Sequence, residues 1–311
     1  MALQLKTSAE LALPKTIKAM FYGQAGSGKT TLALSMPRPL LLDFDGGISR
    51  VNPSHLDGAA VAQVASWQEA LELFDTDLSA FDTIVIDTAG KMMDYIITYK
   101  CGNRQPSIRD WGGINGEFNN FTRGLTNLGK NVVYVAHRDS IKDGDTQIYV
   151  PMMRAKNFTS IVSELDLLGY VEMRQINGRV ERTITFNPTE RNEGKNACNL
   201  PGLMTIPTIV DAKGNATAQN DFMTKNVLQP YLAMLQSKRD AQVAYAAALK
   251  GLQEEIAAID GADAANEFIA GIDRYKGESN LLAKARQLFT ARVTELGLTY
   301  DKKTKSYAAA V

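Results

Sequence analysis

The sequence predicts an α/β fold, in which a mostly parallel sheet ends in an antiparallel hairpin and a helical appendage follows. Apolar, strand-like runs alternate with helix-like stretches through the first two thirds of the chain, which is typical of a parallel sheet with helices on both faces. An Asn-Gly pair at 177–178 separates the last two strand-like runs, and this pair favours a tight hairpin. Residues beyond 215 are rich in Ala, Leu, Gln, Lys and Glu, which favours helices.

The predicted elements divide the chain into three parts. The strands are predicted at 17–22, 39–43, 83–87, 131–136, 165–173 and 180–186, and the helices between them at 67–74, 92–99 and 116–128. We therefore expect a lead-in at 1–15, a core domain at 16–215 and a helical appendage at 216–311. The charged segment at 301–305 predicts a mobile tail at the end of that appendage.

The amino-acid composition excludes some classes of function for this protein. The 311 residues contain 34 Lys and Arg against 34 Asp and Glu, which excludes a uniformly basic nucleic-acid binder but allows local basic loops. Two cysteines and two histidines give no metal-ligand spacing and no disulfide framework. We expect a protein of the reducing cytoplasm, without a signal peptide or a membrane span, because no apolar run is long enough.

The first chemical motif is G-x-x-x-x-G-K-T at residues 23–30, between a predicted strand and a predicted helix. This is the P-loop context, in which glycines allow backbone N–H groups to surround a phosphate and the helix dipole adds positive potential. The sequence therefore predicts a nucleoside triphosphate site. The expected nucleotide-binding residues are Gly23, Gln24, Ala25, Gly26, Ser27, Gly28, Lys29, Thr30 and Thr31.

Polar residues at the ends of three predicted strands supply the remaining catalytic candidates. Lys29 is expected on the β- and γ-phosphates, and Thr30 and Asp87 are expected to hold Mg²⁺ beside ATP. Asp45 is the expected carboxylate for the attacking water, with Asp43 as the alternative; both could instead only terminate the strand. His137 ends a further strand, as a sensor of the γ-phosphate or as an ordinary strand-end histidine.

These segments together resemble the RecA-like ATPases, and more closely the short phage-encoded RecA-like proteins of the single-strand annealing or recombination type. The resemblance covers about residues 15–205 and rests on GQAGSGKTTLAL, LLLDFDGG, FDTIVIDTAG, DWGGI, VVYVAHRD and TERNEGKN. It implies that residues 16–215 form a RecA-like ATPase core. Two positions depart from the family pattern: Asp45 stands where a catalytic Glu is usual, and His137 stands where Gln is common.

The resemblance also implies two loops that bind single-stranded DNA. The first corresponds to 101–113 and the second to 138–154. An aromatic ring beside arginines suits base stacking and phosphate neutralisation, although solvated loops with a packed Trp111 are the alternative. The expected DNA-binding residues are Arg104, Arg109, Trp111, Arg138, Lys142 and Arg154.

Cations after the hairpin imply assembly. In RecA-like assemblies, cations from this region reach the γ-phosphate held by a neighbouring subunit, and Arg191 and Lys195 match that place. The alternative is a solvated basic turn. The resemblance thus implies a homo-oligomer, as a ring or a filament.

The expected function is DNA-stimulated ATP hydrolysis that drives annealing or strand pairing. A single-strand-binding protein is a further expected partner. Two alternatives stay open from the sequence: a helicase or packaging-type motor on the same core, and a nucleotide-gated scaffold without catalysis. A nucleoside or small-molecule kinase is disfavoured, because no Arg-rich lid segment follows the core strands.

Overall fold

The computed structural model describes residues 12–176, 178–277 and 280–309. The chain divides into two compact units, and the boundary lies between Leu232 and Ala233, whereas the composition changes near residue 215. Most of the expected lead-in, residues 1–11, lies outside the described residues.

The larger unit contains one extended sheet and the helices that cover it. Its strands are β1 Lys18–Gly23, β2 Pro39–Asp43, β3 Ala60–Gln63, β4 Thr83–Asp87, β5 Asn131–Asp143, β6 Thr146–Pro151, β7 Leu167–Ile176, β8 Arg179–Thr185, β9 Lys195–Asn196 and β10 Leu203–Ile206. Its helices are α1 Lys29–Ala33, α2 Trp67–Leu71, α3 Ala89–Cys101, α4 Asp110–Asn127 and α5 Ala155–Glu164. A π-helical turn at Thr224–Leu228 leads into α6, Gln229–Ala257.

The strand order is β10-β8-β7-β1-β5-β4-β2-β3. The strands from β7 to β3 run parallel, whereas β8 and β10 are antiparallel additions at one edge. Strands β2 and β4 are buried along their whole length, as continuous apolar runs in a covered parallel sheet should be. The predicted fold class is confirmed: a mostly parallel α/β sheet that ends in an antiparallel hairpin, followed by a helical C-terminal region.

The helical face over β2, β4 and β5 is held by large aromatic side chains. Trp67, Phe118 and Phe121 are at most 1% exposed. The Trp67 and Phe121 rings lie 4.7 Å apart, and the Trp67 indole N–H donates to Glu117 at 2.9 Å. This packing fixes α2 and α4 against the sheet and leaves the carboxyl ends of the strands open.

One segment differs from the sequence expectation, and a second one matches it. Strand β5 continues past Ala136 and pairs with β6, from Arg138 opposite Pro151 onwards, so the expected second DNA loop is a β-hairpin. Strand β7 pairs with β8 up to Ile176 opposite Arg179; this is the expected hairpin, with Gly178 at φ +78° and Asn177 outside the described residues.

The smaller unit has its own apolar core. It contains most of α6, then α7 Ala262–Ala270 and α8 Leu281–Glu295. Leu252, Phe268 and Phe289 are buried together there. The expected mobile tail, 301–305, connects two paired strands, β11 Leu298–Asp301 and β12 Ser306–Ala309. The Tyr307 ring of β12 packs edge-on against Phe289. No helix within the described ranges is long and apolar enough to cross a membrane.

We expect Asn131→Ala to lower the free energy of unfolding by about 1–3 kcal/mol. The Asn131 side chain is 3% exposed, accepts from the Ile17 N–H at 2.9 Å and donates to the Asp82 carbonyl at 3.1 Å, so it ties the start of β1 to β4 and β5. Urea unfolding measures the change. The exposed Asn103→Ala is the control, expected within about 0.5 kcal/mol of wild type; equal stability of both variants would contradict this role.

Candidate nucleotide site

The P-loop begins where β1 ends and closes at the first residue of α1. Gly26 and Gly28 both have positive φ, at +78° and +84°. Gly23 has no room for a side chain, because a Cβ there would lie 2.1 Å from the Val171 carbonyl oxygen on the neighbouring strand β7. Glycine is therefore required at these positions by backbone conformation or by close approach, as a phosphate-binding loop requires.

Lys29 is held inside this loop. Its residue is 6% exposed, and its Nζ donates to the Gln24 carbonyl at 2.9 Å. Burial lowers the pKa of Lys29, while the charges of Asp87 and Asp45 oppose that change. The ammonium group thus lies at the loop with only a backbone carbonyl as its hydrogen-bond partner, where a phosphate oxygen would be a stronger acceptor.

Asp87 and Thr30 form the closest contact of the site. The Thr30 hydroxyl donates to Asp87 Oδ2 at 2.5 Å. Burial raises the pKa of Asp87 to about 6, and the hydrogen bond from Thr30 opposes the rise. A hydroxyl and a carboxylate are the hard oxygen donors that Mg²⁺ prefers, so this pair fits the expected ion.

Protein groups alone do not build a metal cage here. Across the described residues, no cluster of three or more His, Cys, Asp or Glu could hold an ion. This agrees with the usual binding of Mg²⁺ through one or two protein oxygens, phosphate oxygens and water. Thr30 and Asp87 therefore remain the predicted protein ligands of a nucleotide-bound ion.

The two acids at the end of β2 and just after it have different roles. Asp43 is 3% exposed and accepts from the N–H groups of Gly46, Gly47 and Ile48 at 3.0–3.3 Å, so it closes the turn. Asp45 is exposed, and its Oδ1 accepts from the Gly47 N–H at 2.9 Å. Of the two, Asp45 is the carboxylate available to a water molecule.

His137 lies at the same level of the sheet as the start of the P-loop, because it pairs with Gly23. Burial lowers its pKa, and the charge of Lys29 lowers it further, whereas Asp45 opposes the change. The neutral imidazole is therefore favoured at pH 7. The charge of Lys29 interacts with Asp45, Asp87 and His137. The structure therefore brings the predicted catalytic residues together.

The predicted DNA-binding residues are mostly engaged within the chain. Arg104 makes a bidentate ion pair with Asp110, with N–O distances of 2.5 and 2.7 Å. The Arg154 guanidinium lies 3.1 Å from the centre of the Trp111 ring. Arg138 donates to the Tyr170 hydroxyl at 2.9 Å and lies over the Tyr149 ring. Arg109 and Lys142 are exposed.

A cavity of about 380 Å³ lies between this region and the nucleotide site. His137 and Thr88 line one part of it, and Met152 and Arg154 line another. Asn157, also in its lining, is 2% exposed, and its Oδ1 has no hydrogen-bond partner in the part of the chain that the structure describes. The cavity is thus lined both by His137, the predicted γ-phosphate sensor, and by Arg154, one of the predicted DNA-binding residues.

The two predicted trans-acting cations differ. Arg191 is exposed on its loop, and its carbonyl accepts from the Tyr149 N–H at 2.8 Å. Lys195 instead donates to the carbonyls of Val162 and Ser163, at 2.8 and 3.2 Å, and so caps the end of α5. Within one chain Lys195 has a structural partner, whereas the side chain of Arg191 projects into solvent.

Sequence reasoning missed Arg182, whose guanidinium contacts the P-loop at Gly28. The two positions are 154 residues apart, and strand pairing alone brings them together. In the sequence, Arg182 is one of several charged residues in a hairpin, so no local pattern marks it.

We expect Asp87→Asn to stabilise the nucleotide-free protein at pH 8 by up to about 3 kcal/mol. This is the free energy that corresponds to raising the pKa of an Asp from about 3.9 in the unfolded chain to about 6 in the folded protein. Because the folded pKa is raised, the contribution of Asp87 to stability is greatest below about pH 4 and is lost as the pH rises through 6. The gain should therefore nearly vanish at pH 4. Urea unfolding with EDTA measures it, with exposed Asp75→Asn as the control. An equal gain at both pH values would refute the assignment.

Comparison with known proteins identifies the domain. Residues 15–198 match the AAA_24 family model, described as an AAA domain. No curated protein sequence matches the chain. A KaiC-like protein from Pyrococcus horikoshii OT3 is similar in structure, with 11% identity, 62% of this chain and 91% of that chain covered, and a TM-score of 0.40. The flagellar accessory protein FlaH from Methanocaldococcus jannaschii is also similar in structure, with 11% identity, 64% of this chain and 93% of that chain covered, and a TM-score of 0.34.

Structural similarities of that strength support no argument about function. The family match is of another kind, because it spans more than half of the chain and includes the P-loop, Asp45, Asp87 and His137. The chain belongs to the AAA_24 family of AAA-type P-loop ATPase domains.

Proposed function

We propose that this protein binds and hydrolyses Mg²⁺-ATP and uses that cycle to hold single-stranded DNA during annealing or strand pairing in recombination. The observation that carries the first part is the 2.5 Å contact between Thr30 and Asp87, with Lys29 and Asp45 in the same electrostatic cluster. A buried carboxylate and a buried lysine at the end of a phosphate-binding loop match the needs of phosphoryl transfer.

In this mechanism each residue has one task. Lys29 exchanges the Gln24 carbonyl for phosphate oxygens, and the backbone N–H groups of the loop surround the phosphates. Thr30 and Asp87 hold Mg²⁺, which when bound draws charge from the β- and γ-phosphate oxygens. Asp45 orients the attacking water and accepts its proton. His137, neutral at pH 7, donates a hydrogen bond on the γ-phosphate side.

The DNA part of the proposal rests on the surface beside the cavity. Trp111 is partly buried against the core and has the Arg154 guanidinium over its ring. Arg109 directly precedes α4 and Lys142 lies on the β5–β6 hairpin, and both are exposed cations. Stacking on an aromatic ring and contact with phosphates together suit a single strand without sequence preference. The bonds of Arg104 and Arg138 within the chain would have to open before those cations could bind phosphate.

Assembly completes the proposal. Arg191 is the better candidate for a cation that reaches a neighbouring subunit's nucleotide, because Lys195 already caps α5. ATP bound between copies would then promote a ring or filament on DNA. The helicase or packaging motor and the non-catalytic scaffold are distinguished from this function by the outcomes below.

We expect Asp45→Asn to lower kcat for ATP about 10²- to 10⁴-fold while the Kd for ATP changes little, because the carboxylate acts on water and not on the phosphates. Phosphate release measures kcat, and titration calorimetry measures Kd. The exposed Asp57→Asn is the matched control. Wild-type protein that binds ATP without turnover would favour the nucleotide-gated scaffold, and unchanged turnover in Asp45→Asn would exclude Asp45 as the base.

We expect Trp111→Ala to weaken binding of a 30-nucleotide single strand about 5- to 100-fold, the loss of one base stacked on an aromatic ring. Fluorescence anisotropy in the presence of ATP measures it, with the exposed Tyr99→Ala as the control. If neither the wild type nor the variant binds DNA, the recombination function fails. DNA-stimulated duplex unwinding, rather than annealing, would favour the motor.

A further inference from the structure

Arg182 reaches the P-loop from strand β8. A Cβ built on Gly28 would lie 2.6 Å from Arg182 Cζ, 2.7 Å from Nε and 2.9 Å from Nη1. The guanidinium therefore occupies the space that a side chain at position 28 would fill. Glycine at this position permits two things at once, namely a φ of +84° and the contact with Arg182.

This guanidinium has no counter-charge among the described residues. The residue is half-buried, and its Nε is buried without a hydrogen-bond partner among those residues. Burial lowers the pKa of Arg182. Charged groups that are withdrawn from water are usually paired in proteins, because an unpaired one loses solvation. A partner absent from the free chain would account for an arginine held in this way.

The residues around Arg182 place it beside Thr31, at the end of the P-loop. It lines a cavity of about 110 Å³ together with Thr31 and His55. His55 Nδ1 is also buried without a partner, and burial, followed by the charge of Arg182, lowers the pKa of His55. Asn220 Nδ2 donates to the carbonyls of Thr31 and His55, at 2.9 and 3.2 Å, so it joins the two segments.

Arg182 and the catalytic cluster act on different parts of the loop. Lys29 and Thr30 are grouped with Asp87 and Asp45, where the β- and γ-phosphates and the ion are expected. Arg182 lies over Gly28 and beside Thr31, on the part of the loop whose backbone N–H groups are expected to surround the α- and β-phosphates. An anion there would accept hydrogen bonds from the guanidinium N–H groups, which an apolar ligand group could not do.

We infer that Arg182 is a cation supplied by the same chain that binds the phosphate chain of the nucleotide at its α-phosphate end. This inference rests on the proposed nucleotide binding and adds to it a residue that the P-loop motif does not contain. Because ATP and ADP share the α-phosphate, Arg182 contributes to the binding of both. It holds the nucleotide and takes no part in the attack on the γ-phosphate.

The test compares Arg182→Gln and Arg182→Lys with Arg179→Gln, which removes an exposed arginine from the same strand. Titration calorimetry with Mg²⁺-ATP and Mg²⁺-ADP gives the Kd values, and thermal unfolding without nucleotide gives Tm. We expect Arg182→Gln to raise both Kd values about 10- to 100-fold, the range for a lost charged hydrogen bond. The Tm of the free protein should stay equal or rise, since a half-buried charge without a partner among the described residues is removed. Arg182→Lys should recover part of the affinity, and Arg179→Gln should bind as wild type.

Each other outcome is decisive. Wild-type affinity in Arg182→Gln would overturn the inference and leave the proposed function intact. A fall in the Tm of the free protein would assign Arg182 a structural role. Weaker binding of ATP alone would move the contact to the γ-phosphate and refute the placement. A wild-type chain that binds neither nucleotide would overturn the proposed function, and the inference with it.

Discussion

The parallel pairing of β1, β5, β4 and β2 is the constraint on which the nucleotide site depends. Gly23 pairs with His137, Asp43 pairs with Asp87, and Asp87 pairs with Val135, so these residues lie within two positions of one another along the sheet. Side chains that come from positions more than 100 residues apart therefore meet at a single edge. Buried ladder hydrogen bonds fix this register, and a slip of one residue would turn Asp87 away from Thr30.

The site concentrates charge where water is scarce. Lys29 and Asp87 are each 6% exposed, and Arg182 has a buried, unpartnered Nε. In such surroundings each interaction with a phosphate or a metal ion is stronger than it would be in water. The stability of the free chain is correspondingly reduced, since its buried charges lack ideal partners. The buried charges that favour ligand binding at the P-loop thus lower the stability of the ligand-free protein.

Local patterns in the sequence account for the parts of the structure that local forces determine. The observed bounds of β2 and β4 are the predicted ones, because continuous apolar runs ended by Asp are clear signals. Strand β3 was missed, since its four residues are largely exposed and show no clear alternation. The contact of Arg182 with Gly28 and the stacking of Arg154 on Trp111 depend on distant pairing, which periodicity cannot reveal. The role of Asp43 also needed coordinates, because two acids two residues apart look alike in sequence.

The turn after β2 has a consequence for the entropy of catalysis. The buried carboxylate of Asp43 accepts hydrogen bonds from the N–H groups of three successive residues, Gly46, Gly47 and Ile48. The segment that carries Asp45 is thus already ordered before any ligand is present. Loss of backbone freedom on binding is small for such a segment, so more of the intrinsic interaction energy remains to favour the reacting geometry. In the proposed reaction, Asp43 would act by restricting the motion of the segment that carries Asp45.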